Sequence, residues 1–175
     1  GTSSYGSITG LENEGSIPSV TGAGNTFAEL TEANFSATIA SVPDKYHRNA
    51  MWLMSRKGFA GSCERLAWAA GGNTHGQLTG DSAAVNSAGR NYMGYPVIFS
   101  DQMPAEANSA TAAYFGSFFD GLVVGTHVDG FRLASSSDFA FDEDVLSVRG
   151  TVRYDADFHD AGATGAFAKL DLAAS

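Results

Sequence analysis

The stretch Gly94-Tyr95-Pro96-Val97-Ile98-Phe99-Ser100-Asp101-Gln102-Met103-Pro104 decides how the rest of the chain is read. Pro96 fixes its own φ and pushes Tyr95 into extended geometry, so Val97, Ile98 and Phe99 start a strand at a defined point. Pro104 stops it. Both prolines lie at the ends of the apolar run, where a missing N–H costs no interior ladder bond. The stretch reads as a buried strand framed by turns.

Upstream, residues 1–26 are rich in Gly, Ser and Thr with isolated apolar anchors at Tyr5, Ile8, Leu11, Ile17 and Val20, an irregular or loosely extended opening. Phe27, Leu30, Phe35 and Ile39 then recur at near-helical spacing, and Thr31 supplies a start, so the pattern predicts a helix over 31–41 that Pro43 ends. Residues 44–49 read as a polar connector. Ala50 to Met54 is too short for a helix and rich in large side chains, hence a buried strand. Ser55 caps a second predicted helix over 56–69, with Phe59, Cys63 and Leu66 on one face and Gly71-Gly72 as its stop. Residues 71–91 read as a long exposed loop with a short extended piece around Gln77 and Leu78.

Downstream, an Ala-rich connector leads to strands over 112–116 and 121–125, separated by Ser117 to Asp120. Asp129-Gly130 between two β-prone runs predicts a hairpin that pairs 122–126 with 131–135. In a long strand over 146–154, Leu146, Val148, Gly150 and Val152 alternate with Ser147, Arg149, Thr151 and Arg153, which predicts one buried face and one basic, wet face. A last strand lies within 166–172. The order is α+β: a mixed, mainly antiparallel central sheet flanked by two helices, with the strand order not legible.

At 175 residues the chain is one domain's worth and can bury roughly two thirds of its unfolded surface. No apolar run approaches the roughly 20 residues of a membrane span. A net charge of −9, from 19 acidic and 10 basic residues, argues against a surface built to neutralise nucleic-acid phosphates. The single cysteine excludes an internal disulfide. The chain opens without an initiator Met, which suggests a processed chain or a proteolytic fragment of a longer one.

No catalytic constellation emerges. Cys63 with His47, His75, His127 and His159 raises a thiolate mechanism, but Cys63 lies on the apolar face of its predicted helix, where a cysteine is ordinarily packing. The histidines lack the three- or four-residue spacing of a metal site. Asp155, Asp157 and His159-Asp160 lack a calcium-loop pattern and read as solvated turn residues. Gly22-Ala23-Gly24 lacks the lysine of a phosphate-binding loop. No cofactor is implied. What remains are two charged groups: the acidic run Asp138, Asp142, Glu143 and Asp144, which reads first as a solvated loop and otherwise as a contact that a basic neighbour completes, and the arginines Arg132, Arg149 and Arg153, surface decoration in a monomer and bidentate contacts in an assembly.

Several segments, taken in order, resemble one family. Tyr46-His47-Arg48-Asn49-Ala50-Met51-Trp52-Leu53-Met54, Gly94 to Pro104, Tyr114-Phe115-Gly116-Ser117-Phe118, Arg149 to Asp155 and Ala166 to Leu170 are similar to strands of tailed-bacteriophage major capsid proteins of the Hong Kong 97-type fold. Ser117 replaces the aspartate usual in that family. The resemblance implies the axial domain of the capsid subunit with the C-terminal strands of the peripheral domain, all within one domain over 1–175. Set against that family, the amino-terminal arm, extended hairpin and spine helix are expected to be missing from this chain.

It further implies a structural, non-enzymatic subunit of an icosahedral phage or prophage capsid, assembled in the bacterial host cytoplasm. Its partners are other copies of itself, as pentamers and hexamers of the full-length protein, and packaged double-stranded DNA enclosed without sequence-specific binding; no membrane is involved. The fragment alone is expected to be monomeric. Loop 71–91 and the acidic segment 138–144 are the implied contact tips. An encapsulin-type nanocompartment shell and a small enzyme using Cys63 are the alternatives.

Overall fold

Tyr95–Phe99 does form a strand, and its neighbours show what it organises. The computed structural model describes residues 10–13, 16–70, 90–136, 146–159, 162 and 164–174. Its strands are β1 (Ser19–Thr21), β2 (Met51–Met54), β3 (Arg90–Tyr92), β4 (Tyr95–Phe99), β5 (Thr111–Gly116), β6 (Leu122–Ser136), β7 (Ser147–Phe158) and β8 (Phe167–Asp171). Six of them make one sheet in the order β1-β8-β5-β2-β4-β3; β6 and β7 make a separate two-stranded ribbon. Within the large sheet β2 runs parallel to β4 and β1 to β8, while β2/β5, β3/β4 and β5/β8 are antiparallel. The α+β, mainly antiparallel arrangement therefore stands.

The helices form where the sequence places them. α1 (Glu32–Ala40) starts at Thr31, whose N–H and Oγ1 both donate to Asn34 Oδ1 at 3.0 and 2.8 Å. α2 (Asp44–His47) is a single turn after Pro43, where a plain connector was expected. α3 (Arg56–Phe59) is capped by Ser55, whose Oγ accepts from the Gly58 N–H at 2.9 Å. It runs through a π turn, Ala60–Glu64, into α4 (Arg65–Ala70). Gly58 and Gly61 let Phe27 lie directly against this turn, since a Cβ on Gly61 would sit 3.1 Å from Phe27 Cβ.

Trp52, Val97 and Phe115 are register partners on one face of the sheet. Phe35 of α1 meets Trp52 edge-on at 5.5 Å, and Phe59 of α3 meets Phe99 at 5.4 Å, so both helices cover that face. Trp52, Phe35, Phe59, Phe115 and Leu170 are fully buried there.

Within the sheets, sequence and structure part company at several strands. β4 is not buried throughout: it lies one strand from the sheet edge, and Ile98, on the face away from the helices, is half exposed. The fully buried strand is β5. β1 and β3 arise in segments read as loops, because both are three-residue edge strands fixed by their partners and not by an apolar pattern. Met93 and Gly94, at φ 51° and 86°, make the tight turn that folds β3 back on β4. Lastly, Asp129-Gly130 is not a hairpin turn. β6 continues past it through a bulge and pairs with β7, because a ladder along fifteen- and twelve-residue strands outweighs a hairpin with short arms.

Candidate functional site

The β6/β7 ribbon carries the three arginines singled out in the sequence. Its base is built into the large sheet. Ser117 caps α5 (Phe118–Gly121), accepting from the Asp120 N–H at 3.3 Å and donating to Asp120 Oδ2 at 2.6 Å. That bond, with a second from Asn49 Nδ2 at 3.2 Å, holds the Asp120 carboxyl below its ordinary pKa. Phe167 of β8 receives Phe118 and Phe158 edge-on at 5.2 and 5.4 Å, and the His159 N–H donates to the Gly121 carbonyl at 2.8 Å. Gly121 has no room for a side chain, since a Cβ would lie 2.5 Å from Phe167 Cε2.

Beyond this anchor the ribbon has two unlike faces, set by the period-two alternation of its strands. Val124, Phe131 and Leu133 of β6 and Val148, Val152 and Tyr154 of β7 share one face by register. The sequence pattern predicted the alternation correctly but also predicted burial, and here the structure differs: these six residues are each 56–68 % exposed. Among the described residues no element packs on them. An apolar strip of this length is unusual on a free surface.

The opposite face is basic. Register pairs Arg132 with Thr151 and Ala134 with Arg149, so Arg132, Arg149, Thr151 and Arg153 point the same way. Between Thr126 and Phe131 the ladder shifts: residues 127–130 stand opposite Arg153 alone, with Gly130 at φ 55°. The bulge hollows the basic face into a cavity of about 130 Å³ lined by His127, Gly130, Arg132, Arg149, Thr151 and Arg153. The structure thus brings together all three arginines picked from sequence. The sequence signal for the hollow was Asp129-Gly130, misread as a turn.

The acidic group Asp138, Asp142, Glu143 and Asp144 lies outside the described residues, as does loop 71–89 with His75. Cys63 is fully buried and burial pushes its thiol pKa up to about 12, the opposite of an activated nucleophile. His47 is engaged elsewhere, Nδ1 with Tyr95 Oη at 2.7 Å and Nε2 with the Val42 carbonyl at 2.8 Å. Among the described residues no group of three His, Cys, Asp or Glu could hold a metal ion, and no helix is long and apolar enough to cross a membrane.

The phage capsid family matches residues 1–170. Among solved structures, the capsid of an empty GTA particle computed with C5 symmetry is 25 % identical at a TM-score of 0.64 and matches 91 % of this chain and 51 % of its own. The capsid of the native GTA particle is 26 % identical at 0.65, with 91 % and 50 % matched. The chain therefore spans about half the length of these structures. No curated protein matches it.

Proposed function

Since the chain belongs to the phage capsid family, we propose that it is a structural subunit of an icosahedral phage or prophage shell, acting through contacts between copies and not through catalysis. The large sheet with its covering helices contributes the axial domain, and the β6/β7 ribbon contributes the C-terminal strands of the peripheral domain. The shell encloses double-stranded DNA without reading its sequence and assembles in the host cytoplasm. The chain's charge of −9 fits a wall that contains DNA without gripping it. Subunit contacts involve Arg132, Arg149 and Arg153, and the acidic group Asp138, Asp142, Glu143 and Asp144.

The observation that carries this reading is the ribbon's apolar face. A side chain such as Phe131 or Val152 gains about 1.5–3 kcal/mol when fully buried, and six stand together uncovered. A shell subunit covers such a face only when its full length and its neighbours are in place, and each interface can then stay small because a closed shell repeats it.

The test is particle formation by the full-length gene product, followed by light scattering and negative-stain microscopy beside this chain. Uniform closed shells from the full-length product, with this chain staying small, are expected. A full-length product that forms no shell overturns the reading.

A further inference from the structure

We infer that the hollow on the ribbon's basic face is a carboxylate receptor that takes acidic side chains of a second copy of this chain; the inference rests on the shell reading above. Arg132 stands directly across from Thr151, and Arg149 and Arg153 flank Thr151 two residues to either side, so three guanidinium groups surround one hydroxyl. The described ion pairs are Lys57–Glu106 and Lys169–Asp171, and none among the described residues neutralises these arginines. The next carboxylates along β7 are turned to their own backbone: Asp155 Oδ1 accepts from the Ala156 N–H at 3.0 Å and Asp157 Oδ1 from the Phe158 N–H at 2.9 Å. Three cations held around one concavity focus a positive potential that no described ion pair answers.

The shape selects the anion. A cavity of about 130 Å³ has the volume of roughly four waters of the bulk liquid, enough for one or two carboxylate groups. Guanidinium forks bind carboxylate edge-on with two parallel N–H···O bonds, and Thr151 adds a hydroxyl donor between them. A nucleic-acid backbone would need a groove of cations following successive phosphates; here the arginines gather at one bulge. A neighbouring copy supplies the complement, because each chain carries 19 acidic against 10 basic residues.

The experiment measures binding of a fluorescent, glutamate-only peptide to this chain by anisotropy, with R149A/R153A and R149K/R153K beside the wild type. The expected result is binding weakened roughly tenfold in the alanine pair, partly kept in the lysine pair, and reduced by added salt. R149K/R153K is then made in the full-length product, isotope-labelled and unlabelled copies are assembled together, and a carbodiimide joins the new amines to carboxylates in reach. Mixed-isotope links from positions 149 or 153 to Asp or Glu are expected.

Peptide binding that ignores the arginines overturns the receptor, and so does arginine-dependent binding of short duplex DNA that is tighter than peptide binding. Arginine-dependent capture with no mixed-isotope link overturns the second copy as occupant. Shells formed by the full-length product without any arginine-dependent capture remove this inference and leave the shell reading intact. Capture without shells does the reverse.

Discussion

Replacing Gly116 by alanine tests the junction between β5 and β8, on which both the large sheet and the ribbon anchor depend. Gly116 is paired with Phe167 across the ladder and sits at φ 159°. A Cβ there would lie 2.1 Å from the Ala166 carbonyl oxygen and 2.9 Å from Phe167 Cα, both backbone atoms and both closer than real Cβ contacts come. The strands must separate at that end. The same Ala166 oxygen accepts the Ser117 N–H at 3.0 Å, so that bond is strained too.

Forced overpacking costs about 1–3 kcal/mol, and a weakened buried backbone bond adds roughly 1 kcal/mol. G116A should therefore lose about 3 kcal/mol, a fall in Tm of roughly 6–12 °C for a chain of this size. Gly125 supplies the control, because nothing lies within 4 Å of its would-be Cβ. G125A should be neutral or gain up to about 1 kcal/mol by restricting the unfolded chain. Urea and thermal melts followed by circular dichroism measure both. A G116A chain within about 0.5 kcal/mol of G125A would show that β5 and β8 do not meet as described; an error of that size lies inside ordinary surface effects.

Three further outcomes follow from the same structure. Because Cys63 ionises near 9.0 when unfolded and only near 12 when buried, the folded state holds the extra proton and stability falls as pH rises through that window; between pH 9 and 10 the loss is about 1 kcal/mol. Urea titrations should show that loss in the wild type and a smaller one in C63A, where the buried Tyr92 and Tyr114 hydroxyls still hold their protons, and equal slopes would refute it. The substitution V148T/V152T should leave the melting midpoint of this chain within about 0.5 kcal/mol, while the same change in the full-length product stops shell growth by light scattering; a clear drop in the midpoint would mean that the face is already covered. S117A should cost about 1–2 kcal/mol through the lost cap of α5. Asp120 is held below 3.8 in the fold, so its share of that cost is present above this pH and shrinks as pH falls beneath it, measurable by melts across the acid range.

The parts of the fold legible in the sequence were those written in side-chain period. α1, the α3 to α4 segment, β2 and β8 each bury a regular set, such as Phe35 and Thr38 or Trp52 and Met54, and they emerge close to their expected bounds. β1 and β3 were not legible, because Ser19–Thr21 and Arg90–Tyr92 become strands through the ladders offered by β8 and β4. The arginine site was half legible. Alternation put Arg149 and Arg153 on one face, yet the convergence of Arg132 needed the long-range register, and the hollow needed the bulge that local rules turn into a hairpin. Burial of the apolar face was misjudged for a physical reason: alternation reports which face wants cover and says nothing about what chain provides it.

A ribbon fixed at one end is mechanically a lever. At about 3.4 Å per residue the twelve residues of β7 extend roughly 40 Å from the Phe167 clamp. A tilt of about five degrees at the clamp moves the far end by roughly 3 Å, a hinge motion that a few terminal residues can absorb. The large sheet can thus stay rigid while the arm trims its angle, and identical chains gain a way to fit slightly different surroundings without altering their cores.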